Sequence, residues 1–134
     1  MWVTELLKDL SKRAKELGFP QDVKEGDWIC YIELETNHLY LLTCPEVRNG
    51  YLSEEDYKGN YNLHVYKDNW FLILSFSRCL EWFFQNGVMY VMPFICNNHS
   101  HIERGRIDCL LPRDIETRTH DEVMAKAVVA RLER

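Results

Sequence analysis

The sequence lacks the local signatures of several large classes of protein. Its six glycines are dispersed, so no glycine-rich loop joins a strand to a helix, and phosphate-loop nucleotide hydrolysis is not supported. No apolar run approaches the ~18 residues that a membrane span requires. Residues 1–5 lack the basic and apolar stretches that open a secretory signal. We therefore expect a cytosolic protein with no membrane partner.

Positive charge and paired cysteines are also scarce. Lysine and arginine number 16 against 21 acidic residues, which gives a formal net charge of -5. Because phosphate binding needs a basic field, we expect no broad nucleic-acid binding. The five cysteines are odd in number and widely scattered, unlike a disulfide framework, so we expect reduced and mostly buried thiols. They are Cys30, Cys44, Cys79, Cys96 and Cys109.

The composition is that of an ordinary globular protein. Hydrophobic residues make up 46% of the 134 residues and aromatic residues 13%, which is enough apolar surface for one core. No linker, internal repeat or low-complexity tract divides the chain. We therefore expect a single compact domain over residues 1–134.

Three segments have the periodicity and the end signals of amphipathic helices. Gly18 and Gly87 suit the left-handed residue that follows a helix, and Thr119 with Glu122 fits a capping box. The predicted helices cover residues 4–17, residues 78–86 with Ser75 or Ser77 as N-cap, and the C-terminal residues from 119 onward.

Alternating apolar residues predict strands between these helices. Segments 28–34 and 39–44 suit one hairpin, and segments 61–66 and 70–76 suit a second with a turn at 67–69. Turn-forming and acidic residues predict a long surface loop over 45–60. Further strands are expected at 88–95, where Pro93 requires an edge or a bulge, and at 106–111. The order of elements predicts an α+β fold: an antiparallel β-sheet packed against N-terminal, central and C-terminal helices.

Candidate metal ligands cluster near residue 100. Zinc takes thiolate and imidazole ligands, and a loop between strands could gather Cys96, His99, His101 and Cys109 around one ion. The spacing does not show two close pairs, and a solvated polar loop explains the same residues. We expect no cofactor, with a zinc-binding domain or metalloenzyme as the alternative.

Two features favour binding. Arg104, Arg106 and Arg113 form a cationic concentration whose guanidinium groups suit a small anionic or nucleotide ligand. Tyr51 and Tyr57, with Tyr61, lie in or beside the predicted loop, and tyrosine is enriched in contact surfaces. The alternative for these rings is that they hold the loop against the sheet.

Other reactive groups have simpler interpretations. Cys79 falls in the first turn of the central helix, where the helix dipole lowers a thiol pKa, but Trp82 and Phe83 beside it indicate core packing. The acidic residues 54–56 contain possible metal oxygens, yet such a run is ordinarily a solvated face.

Both ends of the chain resemble small uncharacterised phage and prophage proteins. The similar segments are Leu10–Pro20 and Thr119–Leu132, with the sequences LSKRAKELGFP and THDEVMAKAVVARL. The resemblance implies a small accessory protein that binds a component of the host or of a rival genetic element, and it carries over no active-site residue.

These observations favour a non-enzymatic cytosolic interaction or ligand-binding domain. The expected partner is a protein or a small anionic ligand. Aromatic richness and the edge strand implied by Pro93 leave surfaces that oligomers commonly cover, so we also expect self-association. A phage-related role in interfering with host defence is consistent with this interpretation.

Overall fold

The computed structural model describes residues 3–87, 91–96, 99–104, 116–117 and 119–134, and it describes side chains for residues 3–87 and 119–134. In these residues the fold is α+β, as predicted, with three helices and three antiparallel sheets of three strands each. The chain divides into two compact units, residues 1–19 with 74–134 and residues 20–73. Each unit is built around its own buried groups.

The unit of residues 20–73 contains six strands in two sheets. One sheet has the order β2-β1-β6 and the other the order β3-β4-β5. The strands are β1 (Trp28–Glu33), β2 (Thr36–Leu41), β3 (Glu46–Arg48), β4 (Tyr51–Glu55), β5 (Tyr61–Tyr66) and β6 (Trp70–Leu72).

The predicted surface loop over residues 45–60 is wrong. The segment contains β3 and β4, which form a hairpin around Asn49 and Gly50. Both turn residues have positive φ, at 54° and 83°, and an Asn-Gly pair reaches these angles at little cost. Asn49 and Gly50 therefore do form a turn, but this turn joins two strands of a sheet.

The predicted hairpin of residues 61–66 with 70–76 is also wrong. β5 pairs with β4, while β6 pairs with β1 in the other sheet. A short 3₁₀ turn at Lys67–Asn69 carries the chain from one sheet to the other. The burial patterns explain the separation, since β5 alternates between buried and exposed residues while every residue of β6 is buried. A half-solvated strand and a fully buried strand belong to different environments.

The first predicted hairpin is confirmed, but its turn lies earlier than expected. β1 and β2 pair up to Glu33 and Thr36, so the turn consists of Leu34 and Glu35 alone. Both have positive φ, at 50° and 65°, in a region that disfavours bulky side chains. Leu34 is also 92% exposed. This turn therefore stores backbone strain at the tip of the hairpin.

Replacing Leu34 and Glu35 with the Asn-Gly pair should relieve that strain. We expect Leu34→Asn combined with Glu35→Gly to raise the free energy of unfolding by about 1–2 kcal/mol, because both new residues tolerate positive φ. Urea denaturation measures the change. The converse control is Asn49→Leu, which leaves Gly50 in place because a Cβ there would lie 3.3 Å from the Tyr66 ring, and it should destabilise by about 1 kcal/mol. An unchanged free energy of unfolding in both variants would contradict the presence of backbone strain at Leu34 and Glu35.

The second unit contains all three helices of the described residues. They are α1 (Glu5–Glu16), α2 (Phe76–Gln85) and α3 (His120–Leu132). Their N-caps are Thr4, Ser75 and Thr119, and each side chain accepts a hydrogen bond from a backbone N–H of the first turn. Gly18 and Gly87 follow the first two helices with positive φ. The predicted helices and their end signals are confirmed.

A third sheet completes this unit. It has the order β7-β8-β9, with β7 (Val91–Cys96), β8 (His99–Arg104) and β9 (Glu116–Thr117). Pro93 lies in β7, which is an edge strand in the described part of the sheet, as predicted. β8 was not predicted, and the predicted strand over 106–111 lies outside the described residues.

Helix α3 is the central element of this unit, in contact with α1, α2 and the strands of the third sheet. Glu122 near its start is buried, and its carboxylate accepts hydrogen bonds from the Thr4 hydroxyl at 2.9 Å and from the Thr119 backbone N–H at 3.1 Å. The N-termini of α1 and α3 are therefore joined by one carboxylate. In the described residues no helix has the length and hydropathy needed to cross a membrane.

Candidate binding face of the β3-β4-β5 sheet

The β3-β4-β5 sheet has one buried face and one exposed face. Leu52, Leu63 and Val65 are buried on the first. The opposite face carries aromatic rings from both β4 and β5, because side chains point alternately to the two faces along a strand. We call the four rings Tyr51, Tyr61, His64 and Tyr66 the aromatic face; all four are exposed side chains.

The rings of the aromatic face stack on one another. The His64 imidazole lies between two phenol rings, with centroid distances of 4.4 Å to Tyr51 and 4.4 Å to Tyr61. The Tyr51 and His64 planes are nearly parallel, at 2°, and Tyr66 contacts Tyr51 edge-on at 5.3 Å. Ser53 Oγ lies 2.8 Å from His64 Nδ1 and forms a hydrogen bond that fixes the imidazole. The stack is therefore held in place before any ligand arrives.

An irregularity in the sheet makes the stack possible. Between Glu54 and Glu55 the register of β4 shifts, so that Leu63 is opposite Glu54 while Tyr61 is opposite Glu55. An extra residue in β5 places Tyr61 on the same face as His64 although Tyr61 is three positions before His64 in the chain, an odd spacing that normally puts two side chains on opposite faces. Without this bulge the strict alternation would send Tyr61 to the buried face.

Charges of both signs surround the aromatic face. Arg48 forms a salt bridge with Glu46, and both residues line a shallow depression of about 300 Å³ together with Glu55. Tyr51, Tyr61 and His64 also line this depression, together with Asn49 and Ser53. The guanidinium is therefore already neutralised by a carboxylate.

A larger groove lies along β5. It has a volume of about 470 Å³, and one wall is formed by residues 61–66, which is the whole of β5. Residues 31–33 of β1 form part of the opposite wall. Since consecutive residues of a strand point to opposite faces, a groove that touches all of them runs along the edge of the strand.

The buried carboxylate of Glu54 lies on the other side of β4 from the aromatic face and holds this strand in place. Its Oε1 accepts hydrogen bonds from the backbone N–H groups of Thr43 at 2.6 Å and Cys44 at 2.9 Å. Its Oε2 accepts from the Tyr40 hydroxyl at 2.7 Å and from the Thr43 hydroxyl at 3.3 Å. Glu54 is only 3% exposed, so the expected solvated face at residues 54–56 is wrong for this residue. The carboxylate joins β4 to the end of β2.

Removing the Glu54 carboxylate should destabilise the unit strongly. We expect Glu54→Ala to lower the free energy of unfolding by about 3 kcal/mol or more, because it leaves two backbone N–H groups and two hydroxyls without their acceptor. Glu55→Ala is the matched control, since its side chain is exposed, and it should change stability by about 0.5 kcal/mol or less. Urea denaturation of both variants measures the difference, and equal losses would rule out this role for Glu54.

The Tyr40 hydroxyl titrates abnormally in this arrangement. Burial, and then the hydrogen bond to the Glu54 carboxylate, raises the pKa of Tyr40 from 10.0 to about 12. The protonated phenol therefore stabilises the fold, fully at pH values below 10, and this contribution is lost as the pH rises towards 12.

Tyr40→Phe should remove this pH dependence. The variant is expected to be less stable than the original protein at neutral pH, and the difference in free energy of unfolding should shrink between pH 10 and pH 12. Denaturant titrations at several pH values measure it. A difference that stays constant through this range would show that the fold does not raise the pKa of the Tyr40 hydroxyl.

The structure brings together some of the predicted site residues and separates others. Tyr51 and Tyr61 meet at His64, whereas Tyr57 lies in the loop between β4 and β5 and is 93% exposed. The ring of Tyr57 contacts the Lys58 ammonium at 5.5 Å. His64 was missed by the sequence analysis, although its place in an alternating strand at an exposed position was a usable signal.

Those of the predicted metal and anion residues whose backbone the structure describes lie in the other unit. Cys96 and His99 are register partners where β7 and β8 meet, and His101 and Arg104 follow in β8, so this segment is a hairpin of two strands where a loop was expected. Their side chains, and the residues Cys109, Arg106 and Arg113, lie outside what the structure describes. Among the residues searched, no group of three or more His, Cys, Asp or Glu side chains could hold a metal ion. The zinc and anion sites remain predictions.

The cysteines of the described residues differ in environment. Cys30 and Cys79 are buried and Cys44 is exposed, all as free thiols. Burial, and then the nearby Asp121 carboxylate, raises the pKa of Cys79, so the helix dipole does not lower it as the sequence suggested. Core packing of Cys79 is confirmed.

Comparison with protein family models, with curated proteins and with solved structures gave no match. The resemblance to prophage proteins therefore stays a prediction.

Proposed function

We propose that this chain is a non-enzymatic cytosolic interaction domain that binds a partner protein through the aromatic face. The observation that carries the proposal is the exposed stack of Tyr51, His64 and Tyr61. These rings remain in contact with solvent on an open sheet face, and Tyr61 is 56% exposed. Contiguous exposed aromatic surface of this kind marks interaction sites, and tyrosine is enriched there.

The rings are already ordered in the free protein, and this favours binding. Association normally costs about 0.5–1.5 kcal/mol for each side chain that must be immobilised. In this face the side chains are already held by mutual stacking and by the hydrogen bond between Ser53 and His64. A partner therefore meets a surface that needs little further ordering.

The charges favour a protein over a nucleic acid. Single-stranded nucleic acids bind aromatic platforms that lie in a basic groove. Here Arg48 is paired with Glu46, Glu55 lies beside it, and the whole chain has a net charge of -5. A protein surface with mixed charge complements this rim better than a phosphate backbone does. A partner that belongs to a host, as the prophage resemblance of the chain ends implies, is part of the proposal. So is self-association, for which the edge strand that contains Pro93 is the expected surface.

Binding of displayed peptides tests the proposal. A phage-displayed library of random linear peptides is selected against the immobilised protein, and peptides made from the enriched sequences are titrated by calorimetry. We expect Tyr61→Ala to weaken their binding about tenfold, because an aromatic anchor is worth more than about 1 kcal/mol.

Tyr57→Ala is the control, since it removes a tyrosine that is even more exposed, at 93%, but lies outside the aromatic face. Circular dichroism of both variants verifies folding. A library that yields no binder, or binders that Tyr61→Ala leaves unaffected, would contradict the proposed face.

A further inference from the structure

One edge of β5 faces the groove and pairs with no strand in the described part of the chain. β5 is the terminal strand of the β3-β4-β5 sheet, and its neighbour on one side is β4. The hydrogen bond from Lys67 N–H to the Gly50 carbonyl, at 2.8 Å, fixes the phase of the ladder between the two strands. In an antiparallel pair such positions alternate with positions whose backbone groups point away.

The alternation identifies the outward-facing backbone groups. Counting back from Lys67, Val65 and Leu63 direct their N–H and C=O groups to β4, and His64 and Tyr66 direct theirs to the other side. That side is the groove of about 470 Å³. Both residues offer an N–H donor, but the Tyr66 C=O accepts the first hydrogen bond of the 3₁₀ turn that follows it. Two N–H donors and the His64 C=O acceptor are therefore in place to pair with an additional strand.

The sequence of β5 does not protect this edge. Natural edge strands commonly carry lysine, proline or inward-pointing charge that prevents pairing with another chain. β5 reads YNLHVY over its six residues, with no lysine, arginine, acidic residue or proline. By contrast β3, at the far edge of the same sheet, has only three residues, and two of them are charged. The β5 edge therefore permits pairing, whereas the β3 edge resists it.

Among the lining residues that the structure describes, the groove has a single formal charge. That charge is the Glu33 carboxylate on the wall opposite β5, and the remaining lining is made of tyrosine, amide, histidine and aliphatic side chains. Lys67 lies over the Tyr66 ring at 5.8 Å and does not line the groove. A cationic side chain is complementary both to the carboxylate and to the faces of the tyrosine rings.

We propose that an extended segment of the partner protein, carrying a lysine or arginine that reaches Glu33, adds to the edge of β5 as a further strand. This rests on the proposed function, and it specifies how the partner binds. Main-chain hydrogen bonds to His64 and Tyr66 provide affinity. The side chains of the added strand point alternately to the side of the aromatic face and to the opposite side of the sheet. The aromatic face and the groove then form one continuous site along β5.

Two variants at one position separate the backbone contribution from that of the ring. Tyr66 has φ of -68°, which proline adopts without strain, and its N–H points away from β4. Tyr66→Pro removes both the ring and the N–H, while Tyr66→Ala removes the ring alone. With the library-derived peptides as probe, we expect Tyr66→Pro to bind about fivefold more weakly than Tyr66→Ala, the equivalent of one net hydrogen bond.

N-methylation of the peptide gives a second measurement that does not depend on the folding of a variant. Each backbone nitrogen of the best peptide is methylated in turn, and the affinity for the original protein is measured. Strand addition predicts losses that alternate with a period of two, because only every second N–H faces β5.

Charge reversal tests the lysine or arginine of the partner. Glu33→Lys should weaken binding about tenfold at low salt, and the enriched peptides should carry lysine or arginine at a fixed position. Glu25→Lys is the matched control, since it makes the same change of net charge at an exposed site that does not line the groove. Equal effects of the two variants, or peptides without a basic residue, would overturn the assignment of Glu33.

The outcomes distinguish this inference from the proposed function. If N-methylation shows no alternation and Tyr66→Pro equals Tyr66→Ala while Tyr61→Ala still weakens binding, strand addition is overturned and the aromatic face stands. If Tyr61→Ala also has no effect, both fail. If light scattering shows a dimer that Tyr66→Pro dissociates and Tyr66→Ala preserves, the occupant is a second copy of this chain, and the partner segment is overturned.

Discussion

The carboxylate of Glu54 is the constraint on which the unit of residues 20–73 depends. A buried carboxylate is costly unless its oxygens accept hydrogen bonds, and here they accept from the backbone of Thr43 and Cys44 and from the hydroxyls of Tyr40 and Thr43. Satisfying Glu54 therefore ties β4 to the segment that follows β2. The register shift that brings Tyr61 beside His64 lies directly after Glu54. The binding face is thus fixed by an interaction on the opposite side of the same strand.

The other unit uses the same chemistry at a helix end. Glu122 is buried at the start of α3, where it accepts from the Thr119 backbone and from the Thr4 hydroxyl of the α1 N-cap. The Thr4 side chain in turn accepts from the Leu7 N–H. In each unit one buried glutamate links two separate segments of the chain.

Local signals in the sequence predicted local structure well. The capping box of Thr119 and Glu122 and the glycines at 18 and 87 place helix ends where the structure has them. Strand pairing was harder, because partners such as β1 and β6 are separated by the whole of the β2–β5 segment. The turn at Leu34 and Glu35 carries no Gly or Asn, so its residues gave no signal for a tight hairpin. The change from alternating burial in β5 to continuous burial in β6 was visible in the sequence, and it marks the passage between sheets.

The candidate site was predictable only in part, for the same reason. Tyr51 and Tyr61 were recognisable as contact residues, but their meeting at His64 depends on strand register and on a bulge, which a sequence pattern does not specify. The sequence pattern predicted a solvent-exposed Glu54 because an acidic run is usually exposed. Its carboxylate is instead buried, and the two hydroxyls and two N–H groups that donate hydrogen bonds to it come from residues 40–44. Non-local hydrogen bonds therefore decide both the support and the shape of the site.

The most direct test of this account is the NMR spectrum of the His64 ring. Two tyrosine faces at 4.4 Å should shift its imidazole proton resonances upfield of their positions in an unstructured peptide, and His64→Ala identifies the signals. Upfield signals that return to peptide-like positions in Tyr51→Ala and Tyr61→Ala would agree with an ordered stack. Peptide-like positions in the unsubstituted protein would show that the rings are not stacked in solution, and the preorganised binding face would have to be abandoned.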